Sequence, residues 1–364
     1  MATKITKKHL LIVGGAALIL GVVGFLSFSN IAVTEYRSAT ADAPEHIIPL
    51  PVLNTAEYDA RLLALAHVVV KPVATSSATS TKGQSASSTP ARLWPVKTVY
   101  PQARAILPFK RIVAYYGNFY SKGMGVLGEY PASQVLSMLA STTDEWRAAD
   151  PTTPVLPAIQ YIATVAQAGP GKEGKYILRM PDDQIEHALD MANQAHGILI
   201  LDVQVALSTL PHELPMLEKY LALPQVQLAI DPEFSMKYGN PPGTVIGTFD
   251  AADINYAAQY LAHIVNTYHL PPKVLVVHRF TEAMVTNYQK IEPLPEVQIV
   301  MDMDGWGSQA KKKNTYQRVI YAEPVQFTGI KLFYKNDLKP PSTGLLTPQE
   351  VLSLTPSPIY IQYQ

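Results

Sequence analysis

Short hydrophobic runs, many of them rich in β-branched residues, alternate with amphipathic stretches along the C-terminal two thirds of the chain. Runs of this length bounded by polar residues are typical of strands that are buried on both faces. Eight runs have this character: 111–116, 155–161, 197–204, 226–233, 244–249, 273–280, 297–304 and 328–334. Helical periodicity fills most of the gaps between them: 132–146, 181–195, 214–222, 251–268 and 281–290.

This alternation predicts parallel strands that are joined by crossover helices. Eight strand–helix units close a barrel more readily than they form an open sheet. A barrel of this kind typically has about 250 residues, which matches the stretch 106–364. The predicted fold is therefore α/β, a (β/α)8 TIM barrel, preceded by one N-terminal transmembrane helix and a disordered linker.

Residues 35–105 are predicted to form an extracytoplasmic linker. Its first part, 55–70, has the pattern of a short amphipathic helix, with Asn54 or Thr55 as a candidate cap. Its second part, 74–89, consists almost entirely of small and polar residues, mainly Ser, Thr and Ala. Such a composition buries too little apolar surface to offset the entropy of ordering, so it predicts a flexible stalk.

Residues 1–34 are predicted to be a cytoplasmic tip followed by a transmembrane signal-anchor. Three lysines in the first eight residues precede a mostly apolar run over 10–33, close to the ~20 residues that cross a bilayer. Lysines before the run place the N-terminus inside and the rest of the chain outside the cell membrane. The alternative is a cleaved signal peptide with a processing site at 39–41, although its apolar region is usually only about 7–15 residues.

Charge and composition narrow the possible partners. Lysine plus arginine and aspartate plus glutamate both number 29, so no net charge favours nucleic acid. The chain has no cysteine, which excludes disulfides and thiolate metal sites. The stretch 123–128 matches Gly-x-Gly-x-x-Gly, but it lies beyond the first strand and opens no apolar helix, which argues against a doubly wound dinucleotide-binding sheet. No cofactor is predicted.

Five acidic side chains lie at the predicted C-terminal ends of three strands. The active sites of TIM barrels lie at this end, so these positions predict a functional site. Because side chains alternate along a strand, the acids of each run are expected to share a face. The five are Asp202, Asp231, Glu233, Asp302 and Asp304.

Two carboxyl groups across a barrel mouth suit glycoside hydrolysis, in which one donates a proton and the other attacks the sugar or activates water. Glu233, after the fourth predicted strand, is the candidate acid. Asp302 or Asp304, after the seventh, is the candidate nucleophile or base. Strands four and seven lie on opposite sides of a barrel, so these groups are expected to flank a bound sugar from a cell-wall or extracellular polysaccharide.

Other polar and aromatic residues near the strand ends are predicted to bind or orient the substrate. Trp306 is the aromatic residue best placed to stack on a sugar. Lys331 lies in an otherwise apolar strand, so it must be paired, and the strand-end acids are the available partners. The predicted binding residues are Asp202, Gln204, Asp231, His278, Arg279, Trp306, Lys331, Tyr116 and Tyr334.

Three alternatives stay open from the residues alone. The aspartates could hold Ca²⁺ or Mg²⁺ for a metal-dependent hydrolase, although no metal site is predicted and no histidine pair at metal spacing suggests catalytic zinc. The acids could form a buried network with Lys331 and Arg279 that only orders the barrel. The domain could also be a non-catalytic barrel of the cell envelope that binds a glycan or a protein.

The segments that carry these residues resemble those of uncharacterised bacterial secreted or membrane-anchored TIM-barrel proteins, which are distantly similar to glycoside hydrolases. The resemblance rests on VAYYG at 113–117, LDVQ at 201–204, IDPEF at 230–234, VHRFT at 277–281, MDGWG at 303–307 and KLFY at 331–334. It implies a barrel fold and an envelope location, but no reaction.

A looser resemblance is to barrel glycosidases that place the acid after strand four and the nucleophile after strand seven. Those enzymes commonly have Asn-Glu at strand four, where this chain has Asp231-Pro232-Glu233. They use Glu at strand seven, where the prediction places Asp302 and Asp304.

Overall fold

The computed structural model describes residues 52–69 and 92–364. The predicted anchor at 1–34 and the predicted stalk at 74–89 lie outside the described residues. Within the described ranges, no helix is long and apolar enough to cross a membrane.

Eight parallel strands close into a TIM barrel, as the alternating pattern predicted. Each strand pairs with the next along the chain, and the eighth pairs with the first. The strands are β1 (Arg111–Gly117), β2 (Val155–Ala166), β3 (Ile198–Val203), β4 (Val226–Ile230), β5 (Lys273–Arg279), β6 (Val297–Met303), β7 (Phe327–Leu332) and β8 (Tyr360–Tyr363).

Helices surround the barrel and carry their apolar faces against it. They are α1 (Thr55–Leu65), α2 (Val126–Glu129), α3 (Ala132–Ala149), α4 (Asp182–Gln194), α5 (Leu210–Glu213), α6 (Glu218–Leu221), α7 (Ala251–Tyr268), α8 (Gln309–Thr315) and α9 (Pro348–Leu352). A π-helical segment, Tyr316–Tyr321, continues α8. Short 3-10 helices occupy Leu214–Leu217, Pro232–Phe234, Glu282–Met284, Tyr288–Lys290 and Asn336–Leu338. A short strand, Ile177–Arg179, runs antiparallel to the end of β2.

The predicted fifth strand at 244–249 is wrong. Only Phe249–Asp250 is extended, and it pairs with Val285–Thr286 outside the barrel. Val245 and Ile246 are half exposed, so this apolar run is not a buried strand and does not pair with a strand of the barrel. The eighth strand of the barrel is Tyr360–Tyr363. The sequence analysis did not predict it, because a run of four residues is too short to show a strand pattern.

These two changes shift the numbering of the later strands. Asp302 and Asp304 belong to the end of the sixth strand, not the seventh, and Lys331 lies on the seventh. The acids of strands four and six are therefore separated by a single strand, His278 being on that strand. The prediction that Glu233 lies on the opposite side of the barrel from Asp302 and Asp304 is wrong.

Helix α1 packs against the end of the barrel where the strands begin. Asn54 accepts a hydrogen bond from the Glu57 backbone at 3.0 Å, which confirms the predicted cap. Tyr58 is buried, with its ring 6.1 Å from that of Phe109. The same apolar cluster contains residues at the starts of the strands: Ile112, Ala158, Ile198 and Val274. Helix α1 therefore does not cover the opposite end of the barrel, where the strands end.

Candidate active site

A cavity of about 510 Å³ opens at the C-terminal ends of the barrel strands. Its volume is in the range of ligand pockets, which is about 300–1,000 Å³. Seven of the twelve predicted site residues line it, so the strand-end pattern predicted the end of the barrel at which this cavity lies. They are Tyr116, Gln204, Asp231, Glu233, Asp304, Trp306 and Lys331.

Beneath the cavity, His278 of β5 is held between carboxylates from β3 on one side and from the end of β6 on the other. Its Nε2 lies 2.9 Å from Oδ2 of Asp202, and its Nδ1 lies 3.1 Å from Oδ2 of Asp302 and 3.3 Å from Oδ2 of Asp304. Burial opposes charge on the imidazole, but the carboxylates outweigh it and raise the pKa of His278 well above its ordinary value. Both ring nitrogens face carboxylate oxygens, and the Gln160 Nε2 also lies 3.1 Å from the Nε2 of His278. The surrounding carboxylates therefore favour the imidazolium form of His278.

Asp202 and Asp302 are fully buried and do not line the cavity. Gln160 donates to Oδ2 of Asp202 at 2.7 Å, and the Oδ1 atoms of both aspartates have no hydrogen-bond partner among the described residues. Burial raises the pKa of Asp302, while the hydrogen bond and charge of His278 oppose that change. Of the two aspartates predicted as catalytic partners of Glu233, only Asp304 faces the cavity.

Lys331 and Asp304 form an ion pair at the cavity floor. The Lys331 Nζ lies 3.1 Å from Oδ1 of Asp304 and 3.9 Å from the centre of the Tyr116 ring. The prediction that Lys331 pairs with a strand-end acid is confirmed. Asp304 therefore lies between two cations, Lys331 on one side and His278 on the other.

Asp231 lies at the end of β4, at the base of the turn that carries Glu233. Its Oδ1 accepts a hydrogen bond from the Glu233 backbone at 3.1 Å, and Gln204 approaches its Oδ2 at 3.5 Å. Burial raises the pKa of Asp231 well above its ordinary value; neighbouring acids add to the increase and His278 opposes it. The raised pKa favours the protonated form of Asp231, which would reduce the repulsion within this set of acids.

Strand alternation does not explain why Asp231 and Glu233 both reach the cavity. The strand ends at Ile230, and Pro232–Phe234 form a 3-10 turn. The cap from Asp231 to the Glu233 backbone fixes this turn, so the two side chains are placed by the turn and not by the period of a strand.

Glu233 is half-buried in the cavity wall, and no described residue donates a hydrogen bond to its carboxyl group. Burial raises its pKa to about 7, and the negative charge of Asp304 acts in the same direction. The cations Lys331 and His278 oppose this increase. Glu233 can therefore hold a proton near neutral pH and release it to a group bound in the cavity.

Four of the predicted binding residues do not line the cavity. Asp202 and His278 are buried beneath it, and Arg279 and Tyr334 lie elsewhere, so the prediction that these four contact the substrate directly is corrected. Arg279 follows His278 in β5 and so points to the other face of the strand, where it donates to the backbone of Val285 at 3.1 Å and pairs with Glu323. The hydroxyl of Tyr334 lies 2.9 Å from that of Tyr115, between the barrel and its surrounding helices.

Polar lining residues that the sequence analysis missed include Lys311, Arg318 and Gln364. Lys311 lies in α8 and Arg318 in the π-helical segment, so neither carries a strand-end signal. Gln364 follows the eighth strand, which the pattern did not reveal. A basic run at 311–313 was visible, but nothing in the local sequence connects it to a barrel mouth.

Within residues 52–69 and 92–364, no three acidic or histidine side chains are arranged to hold a metal ion. His278 and Lys331 lie among the aspartates that were considered as oxygen ligands.

Comparison with known proteins gives no family assignment, since no family model and no curated protein matches the chain. Solved structures that match include a hyperthermophilic endo-β-1,4-glucanase in complex with substrate, at 8% identity and a TM-score of 0.38, covering 70% of this chain and 89% of that one. A Bacillus subtilis mannanase matches at 12% identity and 0.35, covering 73% and 88%. A broad-specificity endoglucanase from an uncultured bovine rumen ciliate matches at 9% and 0.29, covering 57% and 72%. At these values the likeness assigns no activity.

Proposed function

We propose that this protein is a glycoside hydrolase that cleaves a cell-wall or extracellular polysaccharide by the acid/base chemistry of two carboxyl groups. One observation carries the proposal: Glu233, whose pKa is raised by burial, and Asp304, which is paired with Lys331 and His278, face the same cavity. In glycoside hydrolysis one of two carboxyl groups holds a proton while the other acts as a carboxylate, so different surroundings for the two acids suit this chemistry.

Glu233 is the general acid. Its raised pKa of about 7 leaves a large share of the carboxyl protonated at neutral pH, so it can protonate the leaving glycosidic oxygen. No described residue engages its carboxyl group, which leaves the proton free to go to a substrate.

Asp304 is the partner carboxylate, acting as nucleophile or as the base that activates water. Lys331 pairs with one of its oxygens and His278 with the other, so both cations stabilise its negative charge and fix its orientation. Asp302 and Asp202 lie beneath the cavity and position the His278 imidazolium through their contacts with its ring nitrogens.

The substrate is bound by the cavity walls. Phe280 and Trp306 contribute aromatic surface, and Gln204 and Tyr116 contribute polar groups beside Asp231. Flat rings with apolar faces suit the faces of sugar rings. The lysines and the apolar run near the N-terminus support a single-pass anchor, which would display the barrel on the outer side of the cell membrane.

The test is release of reducing sugar from a panel of polysaccharides by the full chain and by Glu233→Gln. Loss of general acid catalysis predicts a rate lower by about 10²–10⁴-fold, with folding unchanged. Glu186→Gln, which removes an exposed acid from helix α4, is the matched control and should keep full activity. Undiminished activity in Glu233→Gln would remove Glu233 from the acid role.

A non-catalytic barrel that binds a glycan or a protein is the competing function. The observation that favours it is the closed network of Asp202, His278 and Asp302, which uses two of the five acids away from the cavity. It predicts saccharide binding that is the same in Glu233→Gln and in the natural protein, with no product from either.

A further inference from the structure

Trp306 forms part of the mouth of the cavity and is 49% exposed. Two ammonium groups lie close to its ring. The Nζ of Lys311 is 4.8 Å from the ring centre and that of Lys339 is 5.4 Å from it. We call these three residues the basic rim.

The two lysines reach the ring from different parts of the chain. Lys311 is in the first turn of α8, and Lys339 follows the 3-10 turn after β7. Gly307 has φ of +148°, and a Cβ there would lie only 2.6 Å from Cδ of Lys311. Glycine adopts this φ without strain, and its lack of a Cβ lets the aliphatic part of Lys311 lie against the turn that carries Trp306.

Neither lysine of the basic rim forms an ion pair with a described residue. Other basic side chains nearby are all paired: Lys331 with Asp304, Lys312 with Asp337, and Arg318 with Glu282. Ion pairing therefore neutralises the deeper and neighbouring cations but leaves two positive charges at one exposed aromatic ring.

The inner part of the cavity has a different character. Its cations are already paired, Lys331 with Asp304 and Arg318 with Glu282, and the other groups there that ionise at or below neutral pH are carboxyl groups. An anionic group would therefore find no unpaired cation among the described residues of the inner cavity. The same group at the basic rim would meet two cations beside a stacking surface.

We propose that the substrate is an acidic polysaccharide and that the basic rim binds the anionic group of one of its sugars, a carboxylate, sulfate or phosphate. This inference rests on the proposed function, because it names the substrate class of the same cavity. Trp306 stacks on the sugar ring, and Lys311 and Lys339 pair with its charged group.

The experiment uses the full chain in detergent and an array of glycans in pairs that differ only in charge. The pairs are homogalacturonan in its de-esterified and methyl-esterified forms, β-1,4-glucan with and without oxidation at C6, and dextran against its sulfate and phosphate esters. Binding is measured at low and at high salt, and product release is measured from every member.

We expect an acidic member to bind about tenfold more tightly than its neutral partner at low salt, and salt to weaken the preference. The variant Lys311→Gln/Lys339→Gln should lose most of that preference and keep its thermal stability, since both side chains are exposed. The control Lys110→Gln/Lys290→Gln removes two exposed lysines outside the cavity and should keep the preference. Which of the three anions binds best identifies the chemistry of the charged group.

Equal binding of both members of every pair, or a preference that survives in Lys311→Gln/Lys339→Gln, would overturn the inference. Cleavage of neutral glycans alone would overturn it while leaving the proposed function in place. Binding of acidic glycans without any product would support the basic rim and count against hydrolysis. No binding and no product from any glycan would overturn both.

Discussion

Removal of the Asp337 carboxylate should destabilise the protein by several kcal/mol, because this single group satisfies three donors in the interior. It accepts hydrogen bonds from the backbone of Gly307 at 2.8 Å and of Phe333 at 2.9 Å. It also pairs with Lys312 at 3.0 Å, and both partners of that pair are only 1% exposed. Lys312 in turn donates to the Gly305 carbonyl at 2.8 Å. The pair thus holds the turn that carries the rim tryptophan.

The magnitude follows from what Asp337→Ala leaves behind. Burial lowers the pKa of Lys312 and the Asp337 carboxylate opposes this change, so the variant leaves a buried lysine without its counter-charge. Breaking a buried pair in this way costs about 3–5 kcal/mol. Lys312→Met should cost less, because the remaining Asp337 carboxylate keeps its two backbone donors.

Urea unfolding at equilibrium, followed by circular dichroism, measures the loss in each variant. The accompanying fall in the melting temperature should be roughly 6–20 °C, at about 2–4 °C per kcal/mol. Asp144→Ala breaks the exposed pair with Arg147 and should change stability by no more than about 1 kcal/mol. A loss below about 1 kcal/mol for Asp337→Ala, or a larger loss for Lys312→Met, would refute the argument.

Two further predictions concern the site. The folded protein holds a proton on Glu233 that the unfolded chain releases, because the folded pKa is about 7 against an ordinary 4.5. The stability that Glu233 contributes should therefore fall as the pH rises from 4.5 to 7. Across that range, the melting temperature of Glu233→Gln should fall less than the melting temperature of the natural protein. Separately, a Cβ at Gly329 would lie 2.6 Å from Cδ1 of Tyr360 and 2.7 Å from Oδ1 of Asp302. Gly329→Ala should cost about 1–3 kcal/mol in urea unfolding, and unchanged stability would show that this contact relaxes freely.

The sequence located the strands that lie between well-formed crossover helices, because a strand buried on both faces must be apolar along its length. The runs at 197–204, 226–233 and 273–280 contain strands three, four and five of the barrel, although the last of them was predicted as the sixth strand. The run at 244–249 has the same local composition and no neighbour to pair with, whereas Tyr360–Tyr363 has its neighbours and almost no run. Strand pairing, not propensity, decided both cases.

By itself the sequence determined the barrel class and the end of the barrel at which the acids gather, since both follow from short-range periodicity and strand ends. The tertiary structure alone decided which acids face the cavity. Asp231, Glu233 and Asp304 do, whereas Asp202 and Asp302 contact His278 beneath it. Charge and burial depend on distances between residues far apart in the chain, and a local pattern carries no information about those distances.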